Sequence, residues 1–185
     1  ELMADDDEKI ITHVSNFRKV KRVDDVIKIF FEIQKNMKAR LMMVGEGPQR
    51  EVAENLVREL DIRDRVLFLG QSNEIDKILC FSDLFLLPSE TESFGLAALE
   101  AMVHSVPVIS SNTGGLPEVN IDGFSGFLHD VGDVQAMANS AISILENKGK
   151  LEKFKKQALQ AAEKYDINQI VPMYEELYQR ALVKA

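Results

Sequence analysis

Short apolar runs alternate with amphipathic helical segments along almost the whole chain, and this alternation restricts the possible folds more than any other feature. The predicted strands are residues 9–15, 39–44, 66–69, 84–87, 106–110 and 126–129. The predicted helices are residues 23–35, 49–60, 74–81, 94–103, 133–147, 151–165 and 168–182. Strands that alternate with helices build a parallel sheet covered on both faces. The predicted fold class is therefore α/β, a Rossmann-like doubly wound parallel sheet.

The composition excludes several functional classes. The 185 residues are 45% apolar and 28% charged, as expected for one globular domain. A formal net charge of -8 argues against nucleic-acid binding, because a basic face is needed to neutralise phosphates. No apolar run approaches the ~18 residues of a membrane span, and the acidic N-terminus is unlike a signal peptide. We therefore expect a cytoplasmic protein with no membrane span and no nucleic-acid partner.

The cysteine and the histidines do not suggest a special site. Cys80 is the only cysteine, so no internal disulfide is possible, and its apolar surroundings predict a small core residue. His13, His104 and His129 have no neighbours at metal-ligand spacing. We expect no metal site.

A polar loop at residues 88–93 joins a buried strand to an unusually apolar helix, and such a junction is where an open α/β sheet binds its ligand. Because the helix at 94–103 is apolar on all sides, we expect it to be buried, and Glu100 within it to need a hydrogen-bond donor. Glu92 stands eight residues earlier, which corresponds to ~12 Å of helical rise. The two carboxylates are therefore placed to hold opposite ends of one extended ligand. The spacing equally allows a dipole-compensating Glu92 and a Glu100 capped by neighbouring backbone.

Basic residues crowd the loop between the first strand and its helix: Arg18, Lys19, Lys21 and Arg22. Cations at the positive end of a helix are unfavourable, and an anion bound among them, typically a phosphate, would remove the conflict. A solvated turn that Asp24 and Asp25 partly neutralise is the alternative.

Glycine pairs follow two other strands, Gly45 with Gly47 and Gly114 with Gly115, and let backbone approach a ligand or form a tight turn. The G-x-G-x-x-G fingerprint of dinucleotide-binding domains is absent, since Arg50 stands where the third glycine belongs. Cations, backbone donors and two spaced carboxylates together predict a pocket for a phosphorylated, hydroxyl-rich molecule.

The run P-S-x-x-E-S-F-G-L-x-x-L-E-A-M, followed by P-V-I and G-G-x-P-E, resembles the donor-binding half of the GT-B glycosyltransferases of the retaining family 4. The G-E-G-P-x-R turn and the V-L-F-L-G strand stand at the usual places of that family, so the likeness covers residues 9–165. The segment S-N-F-R-x-V-K-R most resembles the family members of bacillithiol synthesis, whose donor is UDP-N-acetylglucosamine and whose acceptor is L-malate.

The resemblance implies a role for each matching residue. Glu100 would accept hydrogen bonds from ribose hydroxyls, and Glu92 would face the donor sugar. Lys21 and Arg18 would neutralise the diphosphate leaving group, so Glu92, Lys21 and Arg18 are the implied catalytic residues. Backbone N–H groups at 94–96 would meet the sugar or the diphosphate, and the loops after the second and third strands would flank the base. The implied donor-binding residues are Glu100, Ser93, Phe94, Gly95, Leu96, Asn16, Gly45, Gly47, Leu69 and Gly70.

Two positions depart from the family pattern. Asn16 stands where many members carry arginine, so Arg18 is the expected replacement. Ser105 stands where glycine is usual, and this puts a local turn in doubt.

The resemblance also implies chemistry and organisation: retention of anomeric configuration, no metal or other cofactor, and a second domain that holds the acceptor. We therefore expect residues 1–8 to be a linker or cut end, residues 9–165 to bind the nucleotide sugar, and this domain to be inactive alone. The final helix, within 166–185, is expected either to cross to the other domain or a neighbouring copy, or to pack on its own domain. Other open assignments are transfer of another sugar to lipid or polysaccharide, a non-catalytic nucleotide-sugar-binding module, and a sugar-nucleotide epimerase.

Overall fold

A computed structural model describes residues 8–183, so most of the predicted linker lies outside the described residues. The strands are β1 (Lys9–Val14), β2 (Ala39–Val44), β3 (Val66–Gly70), β4 (Leu84–Leu87), β5 (Val108–Ser111) and β6 (Gly126–His129). The helices are α1 (Val23–Gln34), α2 (Arg50–Glu59), α3 (Ile75–Cys80), α4 (Leu96–Val103), α5 (Leu116–Val119), α6 (Val134–Leu145), α7 (Lys148–Ala162) and α8 (Ile167–Val183). Helix α5 and three 3-10 turns, Lys19–Lys21, Arg63–Arg65 and Glu163–Tyr165, were not predicted. All six predicted strands are present.

The strands form one parallel sheet in the order β3-β2-β1-β4-β5-β6. This arrangement confirms the predicted fold class. The order reverses between β1 and β4, which are neighbours at the centre although 69 residues separate Leu84 from Ser15. Loops that follow parallel strands all lie at the carboxyl edge of the sheet, and the reversal opens a crevice there. The fold thus brings the loops after β1 and β4 together.

The sheet separates two cores because successive side chains of a strand point to opposite faces. In β4, Leu84 and Leu86 pack into the core formed with α1, α2 and α6. Phe85 and Leu87 pack into the other core, beneath α4 and α5. Each such side chain stabilises the fold by roughly 1.5–3 kcal/mol through burial.

The prediction that α4 is buried on all sides is wrong. Ala98, Ala101 and Met102 are buried against the sheet, but Leu96 is 63% exposed and Val103 is 53% exposed. An apolar pattern that surrounds a helix cannot show which of its sides lacks a neighbour. The helix also begins at Leu96 rather than at Phe94, because Gly95, at φ 95°, lies outside the helical region.

Ser105 adopts the left-handed conformation, at φ 62°, and the doubtful turn forms without a glycine. Its N–H donates to the carbonyl of Met102 at 2.9 Å, and the next N–H, of Val106, donates to Ala101 at 3.0 Å. These bonds end α4 and lead the chain into β5.

Helix α8 shows most of its apolar side chains to solvent, among them Met173, Tyr174, Leu177 and Tyr178. Packing of α8 on its own domain was one of the two predicted arrangements, and it leaves these side chains largely uncovered. Across residues 8–183, no helix is both long enough and apolar enough to traverse a bilayer.

Candidate functional site

The loops after β1 and β4 meet in an ion pair. Lys21 ends the 3-10 turn after β1, and its Nζ lies 2.6 Å from Oε2 of Glu92, with both side chains mostly buried. Nearby, the Glu90 N–H donates to the carbonyl of Val20 at 2.8 Å. Two predicted catalytic residues, 71 positions apart, are therefore in direct contact.

The other basic residues of this loop divide into two kinds. Arg22 pairs with the buried carboxylate of Asp25 at 2.6 Å, which raises the pKa of the guanidinium above its ordinary value. The predicted neutralisation within the loop is thus correct for Arg22. Arg18 and Lys19 are exposed, and within residues 8–183 neither forms an ion pair. No described carboxylate neutralises the charge of either residue.

The buried side chain of His13 holds the start of the loop after β1 through hydrogen bonds. The ring is fully buried; its Nδ1–H donates to the Leu86 carbonyl at 2.8 Å, and its Nε2 accepts from the Ser15 hydroxyl at 2.8 Å. Ser15 Oγ in turn accepts from the N–H of Phe17. Burial, and secondarily the charge of Lys21, lowers the pKa of His13 to about 4, against the hydrogen bond to Leu86. A neutral imidazole therefore joins β4 to the loop that carries Lys21.

The glycine pairs approach protein backbone instead of open space. A Cβ on Gly45 would lie 1.7 Å from the Ser15 carbonyl oxygen, and one on Gly114 would lie 1.7 Å from that of Glu92. Gly47 and Gly115 make similar approaches to Asn16 and Ser93. These glycines therefore allow neighbouring loops to approach each other closely, and the predicted approach of Gly45 and Gly47 to a donor stays a prediction. Their close packing sets the positions of the loops that carry Asn16 and Glu92.

The N-terminus of α4 faces the crevice with free donors. Among the described residues, no acceptor binds the N–H of Phe94, Gly95 or Leu96. An eight-residue helix presents these groups together with the positive end of its dipole. An anion or a sugar hydroxyl can accept from them.

Glu100 is exposed, which contradicts the expectation of a buried carboxylate that requires a donor. No hydrogen bond to it is present within the described part of the chain, and an exposed carboxylate needs none because water solvates it. The burial argument for its role therefore fails. Its assignment to a ribose rests on the motif alone.

The remaining predicted donor-binding residues lie around the same edge. Asn16 and Ser93 are exposed in the loops after β1 and β4. Leu69 and Gly70 end β3, and the Gly70 carbonyl accepts from the N–H of Gly45 at 2.8 Å, so the loops after β2 and β3 are tied together. In residues 8–183 no three His, Cys, Asp or Glu side chains are arranged so that they could hold one metal ion.

A second concavity, of about 770 Å³, lies between α4 and α8. Phe94, Leu96, Tyr165 and Leu177 contribute to its mainly apolar lining. Phe94 meets the Tyr165 ring edge to face at 5.5 Å, and the Tyr165 hydroxyl donates to the Glu118 carbonyl at 2.6 Å. Its basic side chain, Arg180, is already paired with Glu176, and none of Arg18, Lys19 and Lys21 lines it, so the crevice between β1 and β4 is the better candidate for phosphate.

Comparison with known proteins assigns the family. The model of the family described as glycosyl transferases group 1 matches residues 1–161 of this chain. The chain belongs to the glycosyl transferases group 1. The sequence resemblance is thereby confirmed, and the structural neighbours of this glycosyl transferase chain are GT-B glycosyltransferases.

Individual relatives agree with the family. N-acetyl-alpha-D-glucosaminyl L-malate synthase of Bacillus anthracis is 44% identical over 172 residues, 92% of this chain and 45% of that protein. HepE of Anabaena, solved in complex with UDP-glucose, is 26% identical with a TM-score of 0.84, covering 94% of this chain and 49% of that one. Sucrose-phosphate synthase of Thermosynechococcus elongatus is 27% identical with a TM-score of 0.87, covering 99% and 47%. The chain thus spans just under half the length of each.

Two features of the site were not predicted. The direct contact of Lys21 with Glu92 follows from the adjacency of β1 and β4, which a doubly wound order already implies. His13 gave no signal beyond its place at the end of the first strand, two residues before Ser15. A histidine in an otherwise apolar strand that ends at the carboxyl edge is the pattern that would have identified it.

Proposed function

We propose that this chain is the donor-binding half of a retaining hexosyltransferase and binds a UDP-sugar, first of all UDP-N-acetylglucosamine, in the crevice between β1 and β4. The sugar would pass to a small acceptor, L-malate in bacillithiol synthesis, held by a further domain of the whole enzyme. The choice of this donor and this acceptor is supported by the relative named N-acetyl-alpha-D-glucosaminyl L-malate synthase and by the sequence motif around Lys21. The solved complex of HepE with UDP-glucose supports the class of donor.

The observation that carries this proposal is the Lys21–Glu92 ion pair beside the free N–H groups of α4. In the absence of ligand, the carboxylate partly neutralises Lys21. A diphosphate in the crevice would compete for the ammonium and accept from the N-terminus of α4. Lys21, helped by Arg18, then stabilises the charge that grows on the leaving diphosphate. We propose that this group performs the task without a metal ion.

The decisive experiment is a calorimetric titration of this chain with UDP and with UDP-N-acetylglucosamine. Lys21→Ala should weaken UDP binding by about tenfold, since one charge-assisted contact of this kind contributes roughly 1.5–3 kcal/mol. Glu92→Gln should leave UDP affinity unchanged or raise it, because it removes a negative charge beside the diphosphate. If the pair were merely structural, both variants would weaken binding alike, and that result would contradict the proposal.

Lys19→Ala is the matched control for charge at long range. Lys19 lies in the same 3-10 turn as Lys21 but contacts no described carboxylate. Its loss should change UDP affinity by less than about threefold at 0.15 M salt. Addition of EDTA should not alter binding, and a strict requirement for a divalent cation would refute metal independence.

A panel of nucleotide sugars and an activity assay test the finer assignment. We expect UDP-N-acetylglucosamine to raise the melting temperature more than UDP-glucose or GDP-mannose. With L-malate present, this chain alone should show no turnover. Robust transfer would contradict the proposal that a further domain holds the acceptor. Preference for another donor would move the proposal to a different transferase of the family. Binding without transfer by the full-length enzyme would instead identify a non-catalytic binding module.

A further inference from the structure

Cys80, His104 and Asp76 form a linked group that contains none of the proposed donor-binding residues. Cys80 Sγ lies 3.5 Å from His104 Nδ1, and His104 Nε2 lies 3.1 Å from Asp76 Oδ1. The prediction that Cys80 is a small core residue is wrong, because its side chain is exposed at the end of α3. Its apolar neighbours in sequence did not reveal that Cys80 lies on the solvent side of α3, whose last turn buries Leu79 instead.

The carboxylate determines the tautomer of the imidazole. An ionised Asp76 can only accept, so Nε2 carries the hydrogen that it donates to Oδ1. Nδ1 is then the free acceptor, and it faces the thiol. A nucleophile within reach of a base, with that base oriented by a third group, is the general arrangement of an activated nucleophile.

His104 and Cys80 stand at the ends of two different helices. His104 caps the C-terminus of α4 and Cys80 ends the six-residue helix α3, and the imidazole is in direct contact with the sulfur. Lys77, one turn earlier, is already paired with Glu74. The nearest group that can take the thiol proton is therefore His104.

We propose that Cys80 is a modification site, at which His104 activates the thiol for exchange with low-molecular-weight disulfides. The thiol proton passes to His104 Nδ1, and the thiolate attacks one sulfur of the small disulfide. The S–S bond of the reagent breaks, a new S–S bond joins Cys80 to one half, and the other half leaves as a thiolate that takes the proton from His104. The incoming disulfide is the only oxidant required. This proposal does not depend on nucleotide-sugar binding.

The test is the rate at which the folded chain reacts at pH 7 with 5,5′-dithiobis(2-nitrobenzoate), and with oxidised glutathione followed by mass spectrometry. Because Cys80 is the only cysteine, every adduct reports this site. His104→Ala should lower both second-order rate constants by about tenfold, less than the roughly 10²–10⁴-fold of a well-aligned base, because the contact of 3.5 Å is long. Asp76→Asn should lower them severalfold, and Asp76→Glu, which keeps the carboxylate, should restore most of the rate.

Glu74→Gln is the matched control, since it alters an exposed carboxylate of the same helical turn that does not touch His104. Its rate should equal that of the unsubstituted chain. Asp76 is 87% exposed, so Asp76→Asn leaves the fold intact even if the histidine variant does not. Rates within twofold for all of these variants, or a Cys80 that reacts only after unfolding in urea, would overturn the proposal.

Discussion

At the scale of single residues, His13 makes stability depend on pH. Its pKa is lowered from the ordinary 6.5 to about 4, mainly by burial. Between these values the unfolded chain binds a proton that the native chain does not, so the stability that this residue confers is complete above pH 6.5 and is lost as the pH falls to about 4. The full difference corresponds to about 3 kcal/mol.

Urea unfolding at pH 7 and at pH 4.5 measures this loss. In His13→Asn, which cannot take the proton, the fall in unfolding free energy between the two pH values should be smaller than in the unsubstituted chain by about 2 kcal/mol. An NMR titration checks the residue directly, since the His13 ring signals should not shift between pH 8 and pH 5.5. A midpoint near 6.5 would contradict the burial of a neutral His13 ring.

The residues also show how far the sequence alone was informative. Lys21 and Glu92 were selected from charge and motif, and the structure brings them together. Glu100 was selected partly because its helix was expected to be buried, and that step fails because burial depends on which elements pack against α4. Cys80 fails for the same reason. Residue types and spacing selected two side chains that the fold brings into contact, whereas exposure is a property of the packed elements.

At the scale of elements, the turn at residues 113–115 holds the loop after β4. Gly114→Ala would introduce a Cβ 1.7 Å from the Glu92 carbonyl oxygen, so the loop must shift. Gly123 has a φ of 68°, similar to the 55° of Gly114, but no atom lies within 4 Å of the position that a Cβ on Gly123 would take. Gly123→Ala is therefore the matched control. In both variants the free energy of unfolding should fall by about 1 kcal/mol, because a residue with a Cβ is unfavourable in the left-handed conformation.

Only Gly114→Ala should also lose UDP affinity, by about tenfold, since the shift of this loop displaces the free N–H groups at the N-terminus of α4. Calorimetry of the two variants beside thermal unfolding separates the effects. Equal UDP affinity in both variants would show that the position of the Glu92 loop does not matter for binding.

The elements were predicted with unequal success for a physical reason. Strands such as β2 and β4 were predicted to the residue, because a mostly apolar run of four to six residues bounded by charged or turn residues is too short for a typical helix. Helix α5 was missed because four residues, Leu116–Val119, carry too little periodicity to detect. The 3-10 turn at Lys19–Lys21 was missed because its basic residues carry no apolar pattern.

At the scale of the whole molecule, α8 contributes little to the stability of the domain that precedes it. Leu177 in α8 is 58% exposed, whereas Leu151 in α7 is 3% exposed. Leu151→Ala should lower the free energy of unfolding by about 2–4 kcal/mol through a cavity. Leu177→Ala should lower it by less than about 0.5 kcal/mol, as for other surface substitutions.

Chemical denaturation at pH 7 compares the two leucine variants directly. A large loss for Leu177→Ala would show that α8 packs on its own domain in solution. The small loss expected here agrees with a helix whose apolar side chains are covered by another part of the protein. We propose that this part is the remaining half of the enzyme.

The sheet order has a consequence for how the chain acquires its ligand. Lys21 follows β1 and Glu92 follows β4, and β2 and β3 lie between these strands in the sequence. The two residues become neighbours only when β4 pairs with β1. No contiguous peptide, and no intermediate that lacks this central pairing, presents both charges to a nucleotide. UDP should therefore leave the early folding rate untouched and act only afterwards, by slowing the separation of β1 from β4.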